Sequence, residues 1–197
     1  SINDPSAKNK SWSVEVVIPF AALYEYQKER RAPKNGEFYR MNFSRVQWNV
    51  DIKDNAYVKR TDENGNVLPE DNWVWAPTGV INIHYPELWS FVFFSEDRDN
   101  VPCDTTIPED EYRKWELRKL YYAEKILFET TGSYSDKLDV LLETLSSYAP
   151  NDCNKTVKNL NYRIETTSRT FLISCPSADA SHLLLLHSNG KVEKVTL

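Results

Sequence analysis

The chain has 197 residues, a net charge of −5, 41% hydrophobic residues and 13% aromatic residues, enough apolar material for one or two soluble cores of about 100–200 residues each. Its basic residues are scattered, so no stretch offers nucleic acid the positive stripe that phosphate binding needs. No apolar run approaches the roughly 20 residues of a membrane span; "HLLLLHS" is far shorter and reads as a buried strand.

The chain opens on a polar lead-in, "SINDPSAKNKS", and alternation begins at once in "SWSVEVVIPF". Trp12, Val14, Val16 and Ile18 fall on one face, with Ser13, Glu15 and Val17 on the other, the period of a strand with one buried side. Pro19 ends it because it has no N–H to donate. "FAALYEYQKERRA" has room for a helical turn or two before "PKNG" breaks it. "EFYRMNFSRVQW" resumes as a strand with Met41 and Phe43 on the core side and Asn42 and Ser44 opposite. "DNAYVKR" and "NVLP" flank "TDENGN", whose Asn-Gly suits a hairpin. "NWVWAP" and "ELWSFVFF" add two more strands.

The period then changes. "TIPEDEYRKWELRKLYYAEKILFETTG" predicts a helix with a capping box from Thr106 and Glu109, an apolar stripe of Leu117, Leu120, Ala123 and Leu127, and Gly132 placed to end it. "SDKLDVLLETLSSY" repeats the pattern with Leu138, Leu141, Leu142 and Leu145. Two strand-like runs follow, "NYRIETTSRTFLISC" and "HLLLLHSNGKVEKVTL", the second with a hairpin signal at Asn189–Gly190. A boundary between the two halves is expected near 98–108, in the polar stretch "DRDNVPCDTTIP".

The chemistry-bearing motifs of common enzymes are missing: there is no GxSxG elbow, no HExxH, no Gly-rich phosphate loop and no dinucleotide fingerprint. Cys103, Cys153 and Cys175 form no CxxC and have no histidine at zinc-finger spacing, which argues against a metal cluster. Cys153 and Cys175 bracket one strand-like run, a placement suited to a disulfide. "TDENGN" carries Asp62, Asn64 and Asn66 at alternate positions, yet Gly65 and the absence of a closing glutamate do not fit a helix-loop-helix calcium site. His84 has the chemistry of an axial haem ligand, but Met41, the one methionine that could pair with it, alternates with Phe43 as a core residue does, which argues against haem.

The strongest signal is the density of rings in "DNWVWAPTGVINIHYPELW". Sugars present flat C–H faces that stack on indoles and phenols, while their hydroxyls need polar partners at the edge. The ring candidates are Trp48, Trp73, Trp75, Tyr85 and Trp89, and the polar ones are Asn42, Arg45 and His84.

The segments "WSVEVVIPFAAL", "NGEFYRMNFSRVQW" and "NWVWAPTGVINIHYPELWSFVFF" resemble, in order and spacing, the C-terminal half of the family 9-like carbohydrate-binding modules of exported bacterial proteins, over about residues 11–95. The resemblance implies a jelly-roll-like β-sandwich related to the DOMON sandwiches, sugar binding between two tryptophans, structural calcium, and export to the periplasm, cell surface or medium. The strands carrying one stacking tryptophan and much of the calcium site would precede residue 11. Where the second tryptophan is expected, this chain has Ile83, His84 and Tyr85. The pattern "YYA…G.Y…L..L" after residue 109 resembles the start of pilin-like domains, a helix before an antiparallel sheet.

The expected fold is therefore mainly β: a partial β-sandwich over 1–100, lacking its N-terminal strands, followed by a small α+β domain over 101–197 with two helices and then antiparallel strands. The expected function is non-catalytic carbohydrate binding, with a structural or protein-interaction sandwich as the alternative. Such a sandwich leaves an uncovered core face, so a completing partner is expected, either the N-terminal part of the same protein or a second chain.

Overall fold

The computed structural model describes residues 4–8, 10–25, 27, 29–78, 83–96, 103–148 and 157–197. The main core lies in the second half. Helix α2 (Glu109–Thr131) buries Leu117, Leu120 and Ala123, three residues of the expected stripe, and α3 (Leu138–Tyr148) adds Leu141 and Leu145. Both helices line one face of an antiparallel sheet ordered β10 (Val192–Thr196), β9 (His182–His187), β8 (Phe171–Pro176), β7 (Arg163–Thr166). Alternation selects Phe171, Ile173 and Cys175 from β8 and Leu184 and Leu186 from β9 for that face, and all five are buried. The Cys175 thiol is pushed up to about 11 by this burial. Cys153, which the sequence offers as a disulfide partner without requiring one, lies outside the described residues.

Helix α2 ends as the sequence predicts. Gly132 adopts φ 75°, and its amide donates to the Phe128 carbonyl at 2.8 Å. Its start differs from expectation. Pro108 occupies the N-cap with φ −56° and no side chain caps the helix, while the Thr106 amide donates to Asp104 Oδ1 instead. Proline fixes the φ of the entering residue but carries no side-chain oxygen to accept from the first-turn amides. Glu109, Asp110 and Glu111 provide the negative charge that the first turn favours.

The first half begins with α1 (Phe20–Tyr24) and then forms three separate two-stranded antiparallel ladders. These are β1 (Phe38–Met41) with β6 (Ser90–Phe93), β2 (Ser44–Gln47) with β5 (Asp71–Val74), and β3 (Val50–Lys53) with β4 (Ala56–Lys59). The expected continuous strand 37–48 breaks at Asn42–Phe43, and its two pieces take different partners. Asp54 and Asn55, at φ 49° and 59°, close the β3–β4 hairpin in the conformation of a primed turn. The "TDENGN" turn also forms, with Thr61 bridged to Val67.

The chain is thus mixed α and β, and among the described residues the ladders do not join into the two stacked sheets of a sandwich. Isolated four-residue, two-stranded ribbons are too small to bury their apolar sides against one another. The segment 12–18 belongs to no ladder and stands exposed along its length.

One ladder is anchored. Phe91 of β6 is buried, its ring 5.0 Å from that of Trp115 on α2. Arg40 of β1 lies over both rings, at 4.4 and 4.9 Å, and ion-pairs with Glu111 Oε2 at 3.0 Å. The two halves read in the sequence therefore meet on one face of α2. Residues 98–102 of the expected boundary lie outside the described residues.

Candidate functional site

The β2–β5 ladder sets the geometry. Arg45 stands directly opposite Trp73, and Gln47 opposite Asp71. One step further, the Trp75 amide donates to the Phe43 carbonyl at 3.0 Å. With a side-chain period of two, Phe43, Arg45, Gln47, Asp71, Trp73 and Trp75 share one face. Trp73 is 60% exposed and Trp75 48%.

Both rings are exposed, and Trp75 is held through its ring nitrogen. Trp75 Nε1 donates to the Met41 carbonyl at 3.2 Å, and its ring meets Phe43 edge-on at 5.6 Å. Trp73 follows two positions away, about 7 Å along the strand. The Arg45 guanidinium lies 5.4 Å from the centre of the Trp12 ring and donates through Nη2 to Gln47 Oε1. Asn49 Nδ2 donates to Asp71 Oδ2 at 3.3 Å. The result is an open aromatic strip edged by a guanidinium, an amide and a carboxylate, which is the division of labour that a flat, hydroxylated ligand requires.

Three of the eight expected residues, Arg45, Trp73 and Trp75, come together here. The others do not join them. Trp48 is half-buried under Lys59, whose Nζ sits 3.4 Å from the ring centre. Tyr85 is stacked on Tyr122 of α2 at 3.9 Å. Trp89 is half-buried and spends its Nε1–H on the Ile83 carbonyl at 2.7 Å. His84 is exposed beside Tyr85, away from the β2–β5 ladder in the chain. Asn42 turns its Oδ1 out of solvent with no hydrogen-bond partner, so that oxygen does not serve a surface ligand.

Phe43, Gln47, Asp71 and Trp12 belong to the face and escaped the sequence reading. Alternation through "FSRVQ" was the available signal for the first two. Met41 and Phe43 share one alternation in the sequence, but the chain changes ladders between them.

Among the described residues, the "TDENGN" turn does not present its oxygens to a calcium ion. Asp62 Oδ1 accepts from the amides of Asn64 and Asn66 at 2.9 and 2.8 Å, and Oδ2 accepts from Asn66 Nδ2 at 3.1 Å. These donors hold the carboxyl below its usual range and close the turn on itself. Among the described residues no three His, Cys, Asp or Glu side chains gather closely enough to hold a metal ion, and no helix is long and apolar enough to cross a membrane.

No family model, no curated protein and no solved structure matches the chain.

Proposed function

We propose that this chain is a non-catalytic carbohydrate-binding module of an exported protein, with the Trp73–Trp75 strip as its stacking surface. The observation that carries the proposal is the pair of indoles exposed on one strand face beside Arg45, Gln47 and Asp71. An exposed indole loses little conformational freedom when a flat ring stacks on it, and the polar groups along its edge meet hydroxyls without being buried themselves. The resemblance of residues 11–95 to family 9-like modules supports the same reading. The site differs from theirs in using two neighbouring rings of one strand rather than one ring from the strands that would precede residue 11 and one from the closing segment.

A second reading, a sandwich-derived surface for protein interaction, draws its support from the exposed apolar run at 12–18. A glycan array probed with wild-type protein and with Trp73→Ala separates the two. Retention on any glycan that disappears with Trp73→Ala supports carbohydrate binding. Absence of retention on every glycan leaves the interaction reading in its place.

A further inference from the structure

Arg45 lies beside two exposed indoles and, among the described residues, no carboxylate pairs with it. It stands directly opposite Trp73 in the β2–β5 ladder, where facing side chains leave the backbone about 5 Å apart. Its guanidinium also lies 5.4 Å from the centre of the Trp12 ring. Arg31, Arg40, Arg60, Arg113 and Arg163 all ion-pair with glutamate or aspartate. The one polar contact of Arg45 is Nη2 donating to the neutral Gln47 Oε1. A guanidinium carries its N–H donors in a planar fork, so most of this fork is unspent while Gln47 and the Trp12 ring place it on the same face as Trp73.

Asp71, two positions from Trp73 on that face, has the opposite chemistry. A carboxylate only accepts, and this one takes a bond from Asn49 Nδ2 at 3.3 Å. A ring stacked on Trp73 therefore meets a donor fork across the ladder and an acceptor along the strand. A neutral sugar answers Asp71 with a hydroxyl but offers Arg45 only single, uncharged acceptors. A sugar carboxylate matches the fork with two parallel charge-assisted bonds, each roughly twice as strong as a neutral one. A sugar with anions on every edge would set charge against Asp71.

We propose that the β2–β5 face selects uronic-acid sugars: Arg45 holds the carboxylate of a pyranose stacked on Trp73, and a hydroxyl of that ring donates to Asp71. The proposal rests on the sugar-stacking reading of this face and adds the class of sugar. The net charge of −5 gives the chain no general attraction for polyanions, and at physiological salt such fields fade over about 8 Å. A preference for an acidic glycan must therefore come from local contact.

Calorimetric titration of the full 197-residue chain tests this with oligogalacturonides and alginate oligomers, each beside its carboxyl-reduced counterpart, and with dextran sulfate. The wild type should bind at least one uronide about tenfold more tightly than its reduced form, with dextran sulfate weaker than the uronide. Arg45→Gln should erase that difference with an unchanged circular dichroism spectrum. Arg45→Lys, which keeps the charge without the fork, should retain only part of it. Trp73→Ala should weaken the acidic and reduced forms alike. Acidic forms bound no more tightly than reduced ones, or an acid preference that survives Arg45→Gln, would overturn the uronate assignment, and Trp73-dependent binding would then leave the stacking reading standing. Dextran sulfate bound as tightly as the uronide would reduce the effect to charge alone and overturn it as well. A wild type that binds none of these glycans, acidic or reduced, and is retained by no other would remove both readings together.

Discussion

Tyr85 and Tyr122 lie ring on ring, with centroids 3.9 Å apart and planes 17° from parallel. Tyr85 precedes the short 3₁₀ turn Pro86–Leu88, and Tyr122 stands in the middle of α2. The Tyr122 hydroxyl donates to Glu87 Oε1, and burial together with that carboxylate pushes the phenol above its usual range. With Phe91–Trp115 and Arg40–Glu111, this stack fastens the strand-rich half to the helix.

Removing it should separate the halves energetically. Tyr122→Ala deletes a ring that is almost wholly buried and should cost about 3 kcal/mol, whereas Tyr122→Phe loses only the bond to Glu87, about 1–2 kcal/mol. Urea unfolding followed by circular dichroism measures both. Equal stability of the two variants would show that the ring contributes nothing beyond its hydroxyl.

Glu124 gives a pH dependence with a defined sign. Its side chain is fully buried in α2, with Oε2 accepting from the Ser135 amide at 3.1 Å and Oε1 unpartnered. Burial raises its pKa to about 7, the Ser135 amide pulls it down, and the nearby Asp136 raises it further. The folded state therefore binds the proton more tightly than the unfolded chain. The resulting stabilisation is complete below about pH 4.5, the ordinary value, and is lost as the pH rises toward 7. Glu124→Gln mimics the neutral acid, so the stability difference between wild type and variant should swing in favour of the variant between pH 5 and about 7, as read from urea midpoints. A constant difference across that range would show that the carboxyl stays charged throughout.

Gly132→Ala tests the helix stop. Nothing lies within 4 Å of an added Cβ, so the whole cost arises from forcing φ 75° on an L-residue. That cost should be about 1 kcal/mol, measurable as a lowered thermal midpoint with an unchanged helix signal. A larger loss would indicate that α2 and α3 depend on this turn for more than termination.

The second half was legible in the sequence because its elements bury one face against another. Leu117, Leu120, Leu141 and Leu145 are where the 3.6-residue period puts them, and the Asn189–Gly190 hairpin joins β9 to β10. The first half was legible only as strands. Val14 and Val16 have the period of a buried face, but periodicity reports the demand for a partner and not its presence. Which strands pair depends on contacts distant in sequence, and the change of ladder at Asn42–Phe43 has no local marker.

The candidate site follows the same division. Alternation alone puts Trp73 and Trp75 on one side of β5, so their partnership was readable from "NWVW". The fate of Tyr85 was not, because it depends on Tyr122, which comes 37 positions later on another element. Density of aromatic residues in the sequence marks both the rings that face solvent and those that fasten the two halves together.

The most direct measurement is calorimetric titration of the wild-type chain, Trp73→Ala and Trp89→Phe with one soluble polysaccharide that the wild type retains on an array. Trp73→Ala should weaken binding at least tenfold, equivalent to about 1.4 kcal/mol. Trp89→Phe, altering an indole already engaged with the Ile83 carbonyl, should leave the affinity unchanged if the chain remains folded. Undiminished affinity in Trp73→Ala, or failure of the wild type to bind any glycan offered, would contradict the assignment of the β2–β5 face as a sugar-stacking surface.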